Sequence, residues 1–371
     1  MKIKRIPRNL YGQYLGKKWG ISRDFRFVLA DIFINDYKQK WIPAREIRCA
    51  HKNGFDAETW VLCELNQDKC RSYLSEAAYF SMYPLNGSFT KWIDDKLTLK
   101  YLCCGTGLDA YMPEYYYQLD TTGRVLCLPD CPDNQQTATV EDVLALLRSK
   151  GALAIKLMNG AFGKGFYKAE CSNGIYSLNG KQMDEAAFKD ALSNMRGYLI
   201  TEYFYAHPDL QNFCPETPGS IRFVAGCRTG KPEMLTAGLA AGRMHSGFVD
   251  NASNHVWCSL DENGCFRSGE LVDREQRKLV TLTEHPDTKK RLEGKIPHWE
   301  QIVQIVEQFC RHFPQLTYLG FDFVVTSDDR IKILEINSLS ALDCFQNHMG
   351  GIFDTPAAAA FFRWQQEKKG K

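Results

Sequence analysis

Near the C-terminal end of the chain, two carboxylates and an amide fall in a pattern that suits a divalent cation. Residues 319–337 read Leu-Gly-Phe-Asp-Phe-Val-Val-Thr-Ser-Asp-Asp-Arg-Ile-Lys-Ile-Leu-Glu-Ile-Asn, two apolar runs flanking Asp328-Asp329. A two-residue turn there sets Asp322 directly opposite Glu335, with Cβ atoms about 5 Å apart on one face of a hairpin. Asn337, two residues further on, shares that face. Phe321, Phe323, Val325, Leu334 and Ile336 then form the opposite, core-facing side. Carboxylates this close repel unless positive charge lies between them. Hard oxygen ligands at this spacing suit Mg2+, which links one or two carboxylates to substrate phosphates. The alternative is an exposed sheet face carrying incidental acids, and the apolar surroundings count against it.

A second candidate lies upstream. Residues 156–166 read Lys-Leu-Met-Asn-Gly-Ala-Phe-Gly-Lys-Gly-Phe. Gly160, Gly163 and Gly165 let backbone N–H groups approach phosphate oxygens, and Lys164 sits between two of them. Lys156 ends an apolar run, where a lone ammonium needs an anion or a route to water. A plain hairpin turn explains the glycines equally well. The context excludes a P-loop, because Phe166-Tyr167-Lys168 starts a strand rather than a helix. It also excludes a protein kinase, whose glycines precede the lysine strand; neither His-Arg-Asp nor Asp-Phe-Gly occurs.

The elements that must position these groups follow from periodicity and punctuation. A helix is expected over 25–37, an apolar, aromatic-rich stretch over 72–86 and a helix over 95–107 stopped by Gly105 and Gly107. Residues 121–138 read as a linker with one short strand, Val125 to Leu128. Thr139 then caps a helix over 140–150. Strands are expected at 152–158, 166–170, 175–178, 197–205, 220–227, 234–241, 319–326 and 331–337. Helices are expected at 184–195, at 298–313 with Ile302, Ile305, Val306 and Phe309 on one face, and at 356–367. Mixed strands and helices with evident hairpins predict an α+β fold.

Composition bounds the rest. The 371 residues are 44% hydrophobic and 24% charged, which excludes a disordered chain and a coiled-coil rod. A net charge of +2 gives no global field for nucleic acid. Residues 1–48 nonetheless hold 12 Lys/Arg against 4 Asp/Glu. That surplus suits either a solvated surface or a phosphorylated or anionic-membrane partner. No run reaches the 18 apolar residues of a spanning helix, and Pro7, Arg8 and Asn9 interrupt any signal-peptide pattern. The 14 cysteines, without a Cys-x-x-Cys, read as reduced thiols and suggest a cytoplasmic protein.

Taken in order, a Asp-Lys-x-x-x-Lys helix, a strand–lysine–glycine-loop–strand unit, an apolar strand ending in an acidic hinge, and the Asp…Glu-x-Asn hairpin resemble the ATP-grasp superfamily over residues 95–345. The resemblance implies two α+β lobes clasping ATP: a small lobe over about 138–205 and a metal-binding lobe over about 206–371. Both would lie within an ATP-grasp domain spanning 95–371, behind a basic, mainly helical region 1–94. It implies phosphate binding by Lys100, Lys156 and the 160–165 loop with Lys164, and adenine reading by Glu202, Tyr203 and Tyr205. Asp209 is the candidate for the ribose, and Asp322, Glu335 and Asn337 are the candidate Mg2+ ligands. Ser220-Ile-Arg222-Phe-Val and Gly247-Phe-Val-Asp250-Asn251, with Tyr79–Lys96, are similar to the sugar-transfer-associated ATP-grasp proteins found near polysaccharide genes.

One departure stands out. D-alanine–D-alanine ligases carry an arginine two residues before the first metal aspartate, and here that position is Gly320. The catalytic positive charge must come from elsewhere, with Arg222 and Arg243 as candidates against a role in surface ion pairs. The chemistry implied is an ATP- and Mg2+-dependent ligase joining a small-molecule or glycan-linked carboxylate to an amine through an acylphosphate. A kinase acting on a hydroxyl would use the same nucleotide site. A non-catalytic scaffold is disfavoured by the cost of an uncompensated acidic cluster.

Overall fold

The computed structural model describes residues 7–132, 136–158, 165–244 and 255–369. Two antiparallel sheets organise them. The first has eight strands in the order Thr137–Ala138, Val125–Cys127, Tyr115–Leu119, Tyr198–Glu202, Ala152–Leu157, Tyr167–Ser172, Ile175–Leu178 and Lys181–Met183. Helices Val140–Lys150 and Glu185–Ser193 cover it, burying Val143, Leu144, Leu147, Phe188 and Leu192 against Ile155, Tyr176 and Ile200. The first of these helices starts where the sequence says it should. Thr139 and Asp142 form a reciprocal capping box, satisfying two orphan donors at once.

The second sheet has seven strands in the order Lys278–Leu282, Gly269–Asp273, Val256–Ser259, Pro232–Ala241, Ser220–Cys227, Tyr318–Val325 and Ile331–Asn337. Its two faces pack differently because strand residues alternate. Ile221, Phe223, Phe321 and Phe323 point into a core built with helix Trp299–His312, whose Ile302, Ile305, Val306 and Phe309 are fully buried. Val224 and Tyr318 face the other way, into a core shared with helix Pro356–Lys369 and with Leu29, Phe33, Tyr79 and Phe80 of the N-terminal helices. The N-terminal region is therefore fastened to the back of this sheet. Tyr79 Oη bonds the Ser340 carbonyl at 2.5 Å and Tyr83 Oη the Ser338 carbonyl at 3.0 Å.

The expected elements form, most with ends shifted by a few residues. The helix over 95–107 stops at Cys103, and Gly105 and Gly107 both take positive φ beyond it. The strand over 197–205 ends at Glu202, where the chain leaves the first sheet. Ala206 then bridges Thr326, His207 N donates to Val325 O at 3.0 Å and Ser327 N to Tyr205 O at 2.9 Å. The segment after Glu202 thus stitches the two sheets together. Strands Tyr115–Leu119, Val256–Ser259, Gly269–Asp273 and Lys278–Leu282 were not anticipated.

The acidic hairpin corrects one expectation. Its turn has three residues, Ser327 to Asp329, closed by Thr326 N donating to Arg330 O at 2.9 Å, with Asp329 at φ 62°. A three-residue loop ending in a left-handed residue is a common hairpin closure. Alone it would slip the register by one. A bulge between Asp322 and Phe323 restores it, so Asp322 still pairs Glu335 while Phe323 pairs Ile333. Leu334 is the extra residue. It is half-buried outside the core, and Ile333 occupies the core place expected for it.

Candidate active site

The three expected metal ligands meet on one face of the second sheet. Asn337 Nδ2 donates to Asp322 Oδ2 at 3.1 Å and to Glu335 Oε1 at 3.2 Å. Two cations flank them. Arg222, paired with Asp322 across the adjoining strand, donates Nε to Asp322 Oδ1 at 2.7 Å, and Ser220 Oγ reaches the same oxygen at 3.3 Å. Lys96 Nζ lies 3.0 Å from Glu335 Oε2. Burial pushes the Asp322 carboxyl up to about 7, with Arg222 pulling against it and Glu335 adding to the rise. Burial also opposes ionisation of Glu335, yet Lys96, Asn337 and Arg222 together hold it down at about 2.

Lys96 is the residue that sequence reasoning passed over in favour of Lys100. Asp95 caps the helix by accepting from Thr98 N at 2.7 Å, which puts Lys96 in the first helical position. Asp94 binds Ser338 through both N and Oγ, at 2.9 and 2.8 Å, fastening the helix start to the end of the Glu335 strand. Lys96 therefore hangs over Glu335. Lys100, one turn along on the same helix face, is buried instead, with Nζ 2.6 Å from Asp130 Oδ2 and 3.0 Å from the Pro113 carbonyl.

Lys156 is the penultimate residue of its strand, with Nζ 5.2 Å from the centre of the Tyr115 ring; Lys100 Nζ lies 5.5 Å from the same ring. Burial, and then the neighbouring Lys96, pull the Lys156 ammonium down to about 8, while Glu335 opposes them. Three lysines thus converge on this junction, and two of them lie close to one aromatic ring. Tyr115 is itself fully buried, and its hydroxyl has no hydrogen-bond partner among the described residues. Gly165 takes φ 71°, and a Cβ there would come within 2.5 Å of Leu157. Gly160, Gly163 and Lys164 lie outside the described residues, as do Gly247, Asp250 and Asn251.

The hinge residues are held as a framework. Glu202 Oε1 accepts from Arg330 Nη2 at 2.7 Å, and its other oxygen from Glu114 N at 3.3 Å. Tyr203 and Tyr205 meet edge to face, with Lys168 Nζ over both rings at 4.9 and 5.1 Å. Asp209 is exposed beside His207. Arg243 is engaged elsewhere, in a two-pronged pair with Asp287 at 3.0 and 3.2 Å. Of the two candidate arginines, Arg222 is the one seen in contact with the acidic cluster, through Asp322. Gly320 has a steric reason to be glycine, since a Cβ there would stand 1.8 Å from Ser340 Oγ.

The donor set fits a hard cation. It offers two carboxylates and an amide whose half-turn would present oxygen, with lysines close by to take phosphate charge. Comparison with known families agrees with this geometry. The model for the sugar-transfer-associated ATP-grasp family matches residues 77–353, and the chain belongs to that family. Its fold is that of the ATP-grasp proteins, which are ATP-dependent ligases using Mg2+. No curated protein matches the chain in sequence. Among solved structures it is similar to D-alanyl-alanine synthetase A from Vibrio cholerae, at 12% identity and TM-score 0.45, covering 78% of this chain and 68% of that one. The ATP-grasp ligase PsnB, complexed with a minimal precursor, is similar at 12% identity and TM-score 0.38, covering 76% of this chain and 62% of that one. The L-amino acid ligase from Bacillus licheniformis is similar at 11% identity and TM-score 0.36, with 76% and 47% covered.

Proposed function

We propose that this protein joins a carboxylate to an amine at the expense of ATP, through an acylphosphate. The observation that carries this reading is the meeting of Asp322, Glu335 and Asn337 with Lys96 and Arg222 on one face of the seven-stranded sheet, with Lys156 of the eight-stranded sheet near Lys96 and Glu335. Asp322, Glu335 and Asn337 would hold Mg2+, which neutralises charge on the β- and γ-phosphates when bound. Lys96 and Lys156 would bind the phosphate oxygens. In this reading Lys96 takes the role that the family resemblance suggested for Lys100. Lys100 and Tyr115 would pack near Lys156 as framework.

The chemical sequence balances simply. A substrate carboxylate oxygen takes the γ-phosphoryl group, and ADP leaves. The amine nitrogen then attacks the acyl carbon, loses a proton and expels phosphate. The protein's part is positioning and preorganised charge. Arg222, held by Asp322 beside the metal ligands, supplies the positive charge for the transferring phosphoryl group that Gly320 cannot. The segment after Glu202, braced by Arg330, would line the adenine. The eight-stranded sheet would form the nucleotide-side lobe and the seven-stranded sheet the metal-side lobe. A role in cell-surface polysaccharide synthesis, with a glycan-linked substrate, fits the family's description.

The test is product analysis with Mg·ATP, panels of carboxylates and amines, and hydroxylamine as a trap. ADP, free phosphate and a hydroxamate support the proposal. ADP with a stable phosphorylated acceptor and no hydroxamate refutes it in favour of a hydroxyl kinase.

A further inference from the structure

The helix Arg8–Trp19 is set into the N-terminal unit by its small side. Gly12 and Gly16 press against helix Phe25–Asp36, where an added Cβ would stand 2.6 Å from the Phe27 ring and 2.9 Å from the Arg26 side chain. That close approach buries Leu15 and turns the opposite face fully outward. The outward face carries Leu10 at 57% and Tyr14 at 59% exposure, with Tyr37 of the next loop at 51%. Such large side chains, exposed together, are not a solvated surface by default. Tyr14 stacks on Tyr11 at 6.5 Å between ring centres.

Lysines gather at the C-terminal end of the same helix. Lys17 and Lys18 are exposed there; Lys18 Nζ donates to the Lys52 carbonyl at 3.4 Å, and Lys369 Nζ to the Gly20 carbonyl at 2.7 Å. Lys18 and Lys369 thus reach backbone carbonyls of Lys52, Gly20 and Ser81, which draws three chain segments to this end of the helix. Of the four acids in residues 1–48, Asp31 pairs with Arg8, Asp36 pairs with His51 and Glu46 accepts from Trp60 Nε1, which leaves the exposed Asp24 against the surplus of Lys/Arg. The sequence's surplus of positive charge in residues 1–48 is therefore displayed rather than cancelled.

We propose that this face docks on an anionic phospholipid surface, with Leu10, Tyr14 and Tyr37 entering the headgroup layer and the lysines meeting the lipid phosphates. Amphipathic tyrosines and snorkelling lysines on an exposed helix suit that interface. A phosphorylated protein segment fits less well. Its recognition favours paired arginine forks, and Arg8, the one arginine of this helix, is taken by Asp31. Among the described residues no helix is long and apolar enough to cross a membrane, so the contact would be peripheral. It does not depend on the proposed ligase chemistry.

The experiment is co-sedimentation of the full chain with vesicles of phosphatidylcholine alone and of phosphatidylcholine mixed with phosphatidylglycerol, at low and high salt. Two double variants, Lys17→Glu with Lys18→Glu and Leu10→Ser with Tyr14→Ser, are compared at matched thermal stability. The proposal expects binding to the anionic vesicles only, weakened by salt and reduced roughly tenfold or more by either pair. Absent binding, equal binding to neutral vesicles, or unchanged binding by both pairs overturns it. So does self-association of the parent in sedimentation velocity that the Leu10/Tyr14 pair abolishes, which would assign the face to a second copy.

Discussion

Lys96 and Lys100 stand one helical turn apart, and the structure gives them opposite jobs, so replacing each by Met separates catalysis from stability. Lys96 Nζ sits 3.0 Å from Glu335 Oε2 with 11% of its side chain exposed, while the Glu335 side chain is 32% exposed. Water reaches this pair in part, so its loss costs only about 1 kcal/mol of stability. In the proposed reaction, however, its charge would face the place where phosphate charge develops. Losing a preorganised donor there typically costs about 10²–10³ in rate, or about 3–4 kcal/mol. Lys100 is 4% exposed and holds both Asp130 and the Pro113 carbonyl. Removing it orphans a buried acceptor and a partly buried acid, a loss of about 2–3 kcal/mol of stability. Turnover per folded molecule should change far less. The assay pairs kcat/KM for ATP in the hydroxylamine reaction with the urea midpoint of each variant. Lys100→Met abolishing turnover at unchanged stability, with Lys96→Met active, would refute the reasoning.

Three further outcomes follow from the same geometry. Burial raises the Asp322 carboxyl from the usual 3.8 of an aspartate to about 7, so the folded state holds the extra proton between those values. Its contribution to stability therefore falls as pH rises through that window. Thermal unfolding in chelator should show Asp322→Asn gaining on the parent at pH 8 and not at pH 4, while losing the stabilisation that Mg2+ gives the parent. Lys156, lowered to about 8 by burial and Lys96, loses its charge as pH rises past that value. The kcat/KM for ATP should decline on the alkaline side, and Lys156→Arg should remove that limb, since guanidinium stays charged. Gly320→Ala should destabilise the fold by about 1–3 kcal/mol through its clash with Ser340, and adding Ser340→Gly should recover most of that in a denaturant midpoint.

The hairpin shows how much of the site the sequence carried and why the rest was hidden. Alternation placed Asp322, Glu335 and Asn337 on one face, and that face formed. The turn was read one residue short, and the bulge at Leu334 that compensates left no mark in the pattern, because Leu continues an apolar run in either arrangement. Arg222 reached the cluster by pairing across strands distant in sequence, which periodicity cannot register. Tyr115–Leu119 escaped notice because four consecutive large polar-tipped residues followed by a leucine, YYYQL, show no alternation when both faces are covered. The choice between Lys96 and Lys100 turned on which one the Asp94–Ser338 contact draws toward Glu335, a tertiary fact. Arg243, the other candidate, forms an ion pair with the Asp287 carboxylate, a contact across 44 residues that its sequence context did not signal.

The most direct test of the account needs no acceptor. Calorimetric titration of the protein with ATP, with and without Mg2+, is compared with the same titration of Glu335→Gln at matched fold. The account predicts Mg2+-dependent binding by the parent, weakened at least tenfold by the substitution. Binding that ignores both Mg2+ and Glu335, or no binding of Mg·ATP by the folded parent, would contradict it.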